Sequence, residues 1–309
     1  MIDELGTYPE LTKIIELVSA QNPLQRKRIR AFISQQDIDY WTFAENLSRT
    51  LNQSFLQSDK KRNDAAQSYN RMCMEILREQ IRFRKTGIYL LDDASAAEQA
   101  VYSQHDAMRS YIIGLLLSYL LWPNHYRMFQ FYAEHVATLQ AKTCLEVGVG
   151  HGLFSVELMQ RLPEIDLTLV DISAASLELA REILTAFRLD QKQIRFIHGD
   201  YLTWPLASDT FDFLIMGEVL EHVNDAPNFL KRAWQLLRPG GSIFLSTCVN
   251  CPAIDHVYHF HSVDEIRELI KSADLSIASE LVLPAEAVPE EYWQAELVTI
   301  NYCAILTRQ

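Results

Sequence analysis

The stretch CLEVGVGHGLFS, residues 144–155, decides how the rest of the chain is read. It passes from an apolar run into glycines at 148, 150 and 152, then back into apolar residues. That order describes a buried strand, a tight turn and the first turn of a helix. Glycines there remove the side chains that would hold a ligand away from the backbone, so the loop reads as a ligand cradle. Two nucleotide motifs are excluded. A dinucleotide fingerprint counted from Gly148 needs a third glycine where Leu153 stands, and a phosphate-cradling loop needs a Gly-Lys-Ser/Thr ending that is missing. The remaining pattern, E-x-G-x-G-x-G from Glu146 to Gly152, suits a ligand lacking a pyrophosphate.

Downstream of this loop, short β-rich runs alternate with amphipathic helical runs. TCLEV, LTLV, IRFI, FDFLIM, SIFLSTC, LSIASELVL and LVTINYCAIL are the strands, separated by helices such as ASLELAREILTAF and APNFLKRAWQLL. Alternation of this kind requires crossover connections and therefore a mostly parallel sheet covered on both faces. Upstream the texture differs. From Leu11 to about Gln140 apolar residues recur every three or four positions, and the only glycines before residue 141 are Gly6, Gly87 and Gly114. That half is expected to be helical, with the boundary at Trp122-Pro123: a helical domain over 1–122 and an α/β domain over 123–309.

Charge follows the same division. Residues 1–141 carry 16 basic and 16 acidic side chains, so the whole net charge of −12 lies in the second part. An acidic α/β domain is a poor scaffold for a phosphate backbone and a good one for a cation. The basic cluster QRKRIR at 25–30 is one solvated face without interleaved aromatics, so no nucleic-acid partner is expected. The longest apolar run, residues 111–122, is 12 long where a membrane span needs roughly 20. The acidic start MIDELGTYPE lacks the form of a secretory leader, and five cysteines in such a chain suggest reduced thiols. A cytoplasmic protein without a membrane partner is the expectation.

With these motifs in order, the region from 143 to 309 resembles the class I S-adenosylmethionine-dependent methyltransferases. LEVGVGHG resembles the first motif of that family, LTLVDIS its second strand, IHGDYLTWP its third, FDFLIMGEVLEHV its fourth strand and following loop, and LLRPGGSIFLST the turn into its fifth. The resemblance implies a seven-stranded, mostly parallel Rossmann-like sheet and S-adenosylmethionine as cofactor. It implies that Glu146, Gly148, Gly150 and Gly152 cradle the methionine moiety, with Gly217 and Glu218 offering carbonyls to its ammonium. Asp171, 19 residues beyond Gly152, would hold the ribose beside Ile172, and Asp200 and Tyr201 the adenine. The alternative for Asp171 is a helix N-cap, and for Asp200 a solvated turn. Pro239-Gly240 reads as a type II turn.

The chemistry is carried by fewer signals. Methyl transfer from a sulfonium is an in-line displacement, achieved largely by holding donor and acceptor close and dry. Glu221 and His222 after the fourth strand, and Tyr258 and His259 in the loop after the fifth, are the candidate catalytic residues. In that same loop Cys248, Cys251, His256, His259 and His261 provide metal-type ligands, but no second C-x-x-C exists and no metal is expected. The helical half resembles the lids of this family, and Tyr111, Tyr119, His125 and Tyr126 are placed to reach inward. Tyr292 and Trp293 read either as pocket walls or as contacts of a homodimer. Three functions follow. The first is a methyltransferase acting on an O, N or C atom of a small molecule. The second is an enzyme attacking the aminocarboxypropyl arm, such as a cyclase releasing methylthioadenosine. The third is a non-catalytic binding module, against which the intact acid and glycine set argues.

Overall fold

The computed structural model describes residues 6–308, so the first five residues, part of the start read against a leader, lie outside the described residues. Before the first strand the chain is helical: α1 (Pro9–Gln21), α2 (Pro23–Ile33), α3 (Ile38–Thr50), α4 (Asp59–Thr86), the short α5 (Ala94–Ala97), α6 (His105–Leu121) and α7 (Pro123–Val136). Local chemistry sets the ends. Asn22, Asp37 and Ser58 cap α2, α3 and α4 with side-chain oxygens, and Gly87 closes α4 in the left-handed region at φ 69°. Pro23 and Pro123 take the first helical turn, where their missing N–H costs nothing. Two π-helical segments, Leu51–Phe55 and Glu98–Tyr102, interrupt the α-helices. No helix among the described residues is long and apolar enough to cross a membrane.

The remainder is β1 (Thr143–Val147), α8 (Leu153–Arg161), β2 (Asp166–Asp171), α9 (Ala174–Ala186), β3 (Ile194–His198), β4 (Phe211–Gly217), α10 (Ala226–Leu236), β5 (Leu237–Val249), α11 (Val263–Ser272), β6 (Leu275–Pro284) and β7 (Ile300–Arg308). The seven strands lie in the order β3-β2-β1-β4-β5-β7-β6, and β7 alone runs antiparallel to its neighbours. The Pro239-Gly240 segment is absorbed into β5, where Gly240 has φ 79° and the pairing with β4 shifts register between Phe211 and Phe213. The ladder pairs Leu237 and then Ser242, and the left-handed Gly240 between them has the φ that the third position of a type II turn requires.

Period-two alternation divides the core. Leu214 and Met216 of β4 join the cluster under α10 and α11, while Phe213 and Ile215 join the cluster on the other face. That second cluster is continuous with the helical half, running from Leu11 and Tyr40 through Tyr132 to Phe244 and Cys303. The helical half is therefore part of the body covering one sheet face. Because β1 is parallel to both β2 and β4, the carboxyl ends of these strands share one edge, and the strand order reverses direction at β1. An open α/β sheet offers its ligand crevice at such a point.

Candidate active site

A cavity of about 1150 Å³ follows that edge and continues under the helical half. It exceeds the roughly 300–1,000 Å³ usual for a single small ligand, so it has room for two molecules.

The glycine loop forms its floor. Gly148 has φ 70°, and a Cβ there would lie 2.3 Å from Val219 Cγ1. Gly150 has φ 53° and its Cβ would meet nothing, because that face is open to the cavity. Both conformations are costly for other residues. Gly152 packs on Ala180 of α9 instead. Asp171 closes β2 at 8% exposure: one carboxylate oxygen accepts from Ser173 N–H at 2.8 Å, the other from Gly150 N–H at 3.3 Å. The N-cap of α9 is Ser173, which leaves Asp171 facing the cavity. Burial raises its pKa against those backbone donors. Ile172, 40% exposed, and Asp200 and Tyr201 extend the same wall. Asp200 also caps a turn, accepting from Leu202 N–H at 2.8 Å, and the Tyr201 ring lies against Phe229.

Glu146 takes a different position. It is 1% exposed, accepts from Ser155 Oγ, and sits behind the loop and off the cavity wall. Burial pushes its carboxyl up to about 8, opposed by Ser155 and assisted by the Asp171 charge. Gly217 and Glu218 do line the cavity at the end of β4. Glu218 is left-handed at φ 54°, and its N–H donates to Ser246 O and Oγ, both at 3.0 Å. Asn250 repeats that conformation after β5 at φ 47°. Strained non-glycine residues gather at functional sites, and here two finish adjacent strands.

The acceptor side contains a group that sequence reasoning missed. Tyr102 ends the second π-helical segment, and its hydroxyl lies 2.9 Å from His222 Nδ1 and 3.1 Å from Asp255 Oδ2. His222 Nδ1 is also 3.2 Å from the Asp255 carbonyl and 3.5 Å from its carboxylate. Thus His222 lines the cavity, oriented by an aspartate and a tyrosine 120 residues distant. A π-helical turn is a sequence-silent signal, but Asp255 beside His256 was within view. Glu221 lies behind His222, fully buried, accepting from Thr247 Oγ1 at 2.7 Å. Burial, with the Glu218 charge beside it, holds Glu221 well above the usual carboxylate range.

Tyr258 and His259 are not among the cavity walls. Tyr258 packs on Phe260, and His259 stacks on Tyr89 with Nε2 2.8 Å from Asn250 Oδ1. Of the five metal-type ligands, Cys248, Cys251 and His256 have ligand atoms within 4.8 Å of one another, whereas His261 pairs with Glu265. His256 Nδ1 is occupied by the Cys251 carbonyl at 2.6 Å. Tyr111, Tyr119 and His125 line the cavity, but Tyr126 packs on Tyr40. Tyr292 is 51% exposed, and the Trp293 indole donates to Val288 O; neither lines the cavity.

Sheet order, glycine loop and terminal acid define the fold as that of class I methyltransferases. Residues 145–245 match the family described as "Methyltransferase domain". An uncharacterized methyltransferase of Mycobacterium tuberculosis is 32% identical over 129 residues, covering 42% of this chain and 62% of that protein. The chain thus spans about three fifths of that relative. The ubiquinone biosynthesis O-methyltransferase of Acinetobacter baylyi is 28% identical over 188 residues, covering 55% and 78%. Among solved structures, an N-methyltransferase of Haemonchus contortus superposes with a TM-score of 0.51 at 12% identity, covering 70% of this chain and 61% of that one. The [4+2]-cyclase SpnF gives 0.50 at 14%, covering 61% and 82%. These likenesses concern the fold.

S-adenosylmethionine is the cofactor that the family implies, and the residues present fit it. Gly150 presents bare peptide to the cavity, Asp171 faces it at the end of β2, and Glu218 Oε1 is buried with no partner among the described residues.

Proposed function

We propose that the protein is an S-adenosylmethionine-dependent methyltransferase acting on a small molecule. The observation that carries this is one continuous cavity with the glycine loop, Asp171 and Asp200 at one end and the Tyr102–His222–Asp255 group at the other. Asp171 would accept from the ribose hydroxyls, with Ile172 as apolar contact, and Asp200 and the Tyr201 N–H would meet the adenine. Gly217 and Glu218 carbonyls would take the ammonium, whose charge would draw the buried Glu146 carboxyl behind the loop toward its ionised form. When bound, the cofactor supplies an electrophilic methyl on a cationic sulfur.

The chain's own residues orient the acceptor, exclude water and move its proton. His222 is the proposed base: Asp255 fixes the ring through Nδ1, and Tyr102 supports both. Glu221 positions His222 from behind, while Tyr258 and His259 brace the loop that carries Asp255. Enclosure by helices and a carboxylate-rich wall supports a small molecule rather than a polynucleotide. The small-molecule chemistry named for the Acinetobacter baylyi relative agrees.

Incubation with S-adenosylmethionine, alone and with acceptor panels, followed by mass spectrometry, tests this reading. Adenosylhomocysteine formed only with an acceptor is the expected product. Methylthioadenosine formed without one would replace transfer by cyclisation, and no turnover despite tight binding would leave a binding module.

A further inference from the structure

The acceptor end of the cavity holds more negative charge than a proton relay needs. Asp255 lines the cavity at 2% exposure, yet only one of its carboxylate oxygens is satisfied by a side chain. Oδ2 accepts from Tyr102, whereas Oδ1 is buried with no partner among the described residues. A buried carboxylate oxygen without a donor is expensive, so a group entering from the cavity is needed to balance it. Glu218 Oε1, also on the wall, is in the same condition. Around the described walls Asp and Glu outnumber Lys and Arg by seven to one, the exception being Arg28 on α2. Tyr102, Tyr111 and Tyr119 also line the cavity, and aromatic rings attract cations.

We propose that the acceptor is a cationic amine whose ammonium is held by Asp255 Oδ1 among the tyrosine rings, and that nitrogen is the atom methylated. This rests on the transferase reading above and narrows it. An alcohol can donate one hydrogen bond to Asp255 but brings no charge to neutralise, and a carboxylate meets the like charge of Asp255. The amine must also lose one proton before it can attack. His222 takes that proton, which frees the nitrogen lone pair. As the nitrogen bonds to the methyl carbon, the carbon–sulfur bond breaks and its electron pair returns to sulfur, leaving a methylated ammonium and a neutral thioether.

Benzylamine, benzyl alcohol and benzoate differ in the group offered to Asp255 and share a ring for the tyrosine rings. Each is titrated by calorimetry into protein saturated with S-adenosylhomocysteine. Benzylamine is expected to bind about 10-fold or more tightly than the alcohol, and benzoate to be the weakest. Asp255→Asn should erase the amine preference while leaving the affinities for benzyl alcohol and S-adenosylhomocysteine within about twofold. Equal binding of amine and alcohol, a preference for benzoate, absence of amine binding, or an amine preference that survives in Asp255→Asn would each overturn the proposal. If S-adenosylhomocysteine itself failed to bind, the transferase reading would fall. The three-ligand contrast on the ligand-free protein would still decide the amine inference.

Discussion

At the nucleoside end of the cavity the walls are peptide groups and the acids that finish β2 and follow β3. At the acceptor end they are side chains from separate segments: Tyr102 from the helical half, His222 from the loop after β4, and Asp255 from the loop after β5. The first arrangement is fixed by ladder register and by the left-handed backbone of Gly148 and Gly150. The second depends on how the helical half seats on the sheet, through Tyr89 Oη accepting from Cys251 N–H at 2.9 Å and Asn124 donating to Asn301 at 3.0 Å. Backbone-built sites tolerate few substitutions and hold one ligand. Side-chain sites can be retuned without disturbing the sheet.

Substitutions should break the two ends differently. Gly148→Ala combines a left-handed φ with a Cβ 2.3 Å from Val219, so it should weaken S-adenosylhomocysteine binding by about 100-fold and lower thermal stability. Gly150→Ala, whose Cβ meets no protein atom, should weaken binding while costing about 1–2 kcal/mol of stability. Equal losses of stability in calorimetry would remove the distinction between the two glycines. Asp171→Ala should reduce cofactor affinity by roughly 1–3 kcal/mol through two lost ribose bonds. Tyr102→Phe belongs to the other end: turnover should fall about 10-fold with S-adenosylhomocysteine affinity within about twofold. A parallel loss of cofactor affinity would merge the two ends into one unit.

The smallest expected effect is a pH trend. Burial lifts Glu146 from 4.5 to about 8, and also raises Asp171 and Glu218. An acid raised in the fold contributes stability that is complete below its unfolded value and lost as pH rises through its folded value. Burial lowers the pKa of His125, His151, His256 and His259, which adds stability as pH rises toward 6.5, so the melting temperature of the ligand-free protein should decline only between about pH 6.5 and 8. S-adenosylhomocysteine, whose ammonium favours the ionised carboxylates, should flatten that decline and release protons on binding near pH 7. Melting curves at several pH values with and without ligand check the sign; a rise over that range would contradict it.

The same contrast explains what could be read from sequence. The glycine loop, Asp171 and Asp200 lie within short contiguous runs whose spacing reflects strand and turn geometry, and all three face the cavity. His222 was visible as a side chain, but its partner Tyr102 was not, because it lies 120 positions earlier in the chain and is presented by a π-helical turn. Tyr258 and His259 shared the loop with Asp255, yet chain proximity does not tell which side of a loop faces inward; Phe260 and Asn250 take those two side chains. The continuous core joining the helical half to the sheet was similarly illegible, since periodicity reports an apolar face and not what covers it.

The position of the nucleoside along the glycine loop is the central claim. A crystal structure with S-adenosylhomocysteine should show the adenosine along Asp171, Ile172 and Asp200, with the amino-acid arm over Gly148 and Gly150 reaching Glu218. A ligand bound elsewhere, or a glycine-loop crevice closed by side chains in a saturated crystal, would contradict it.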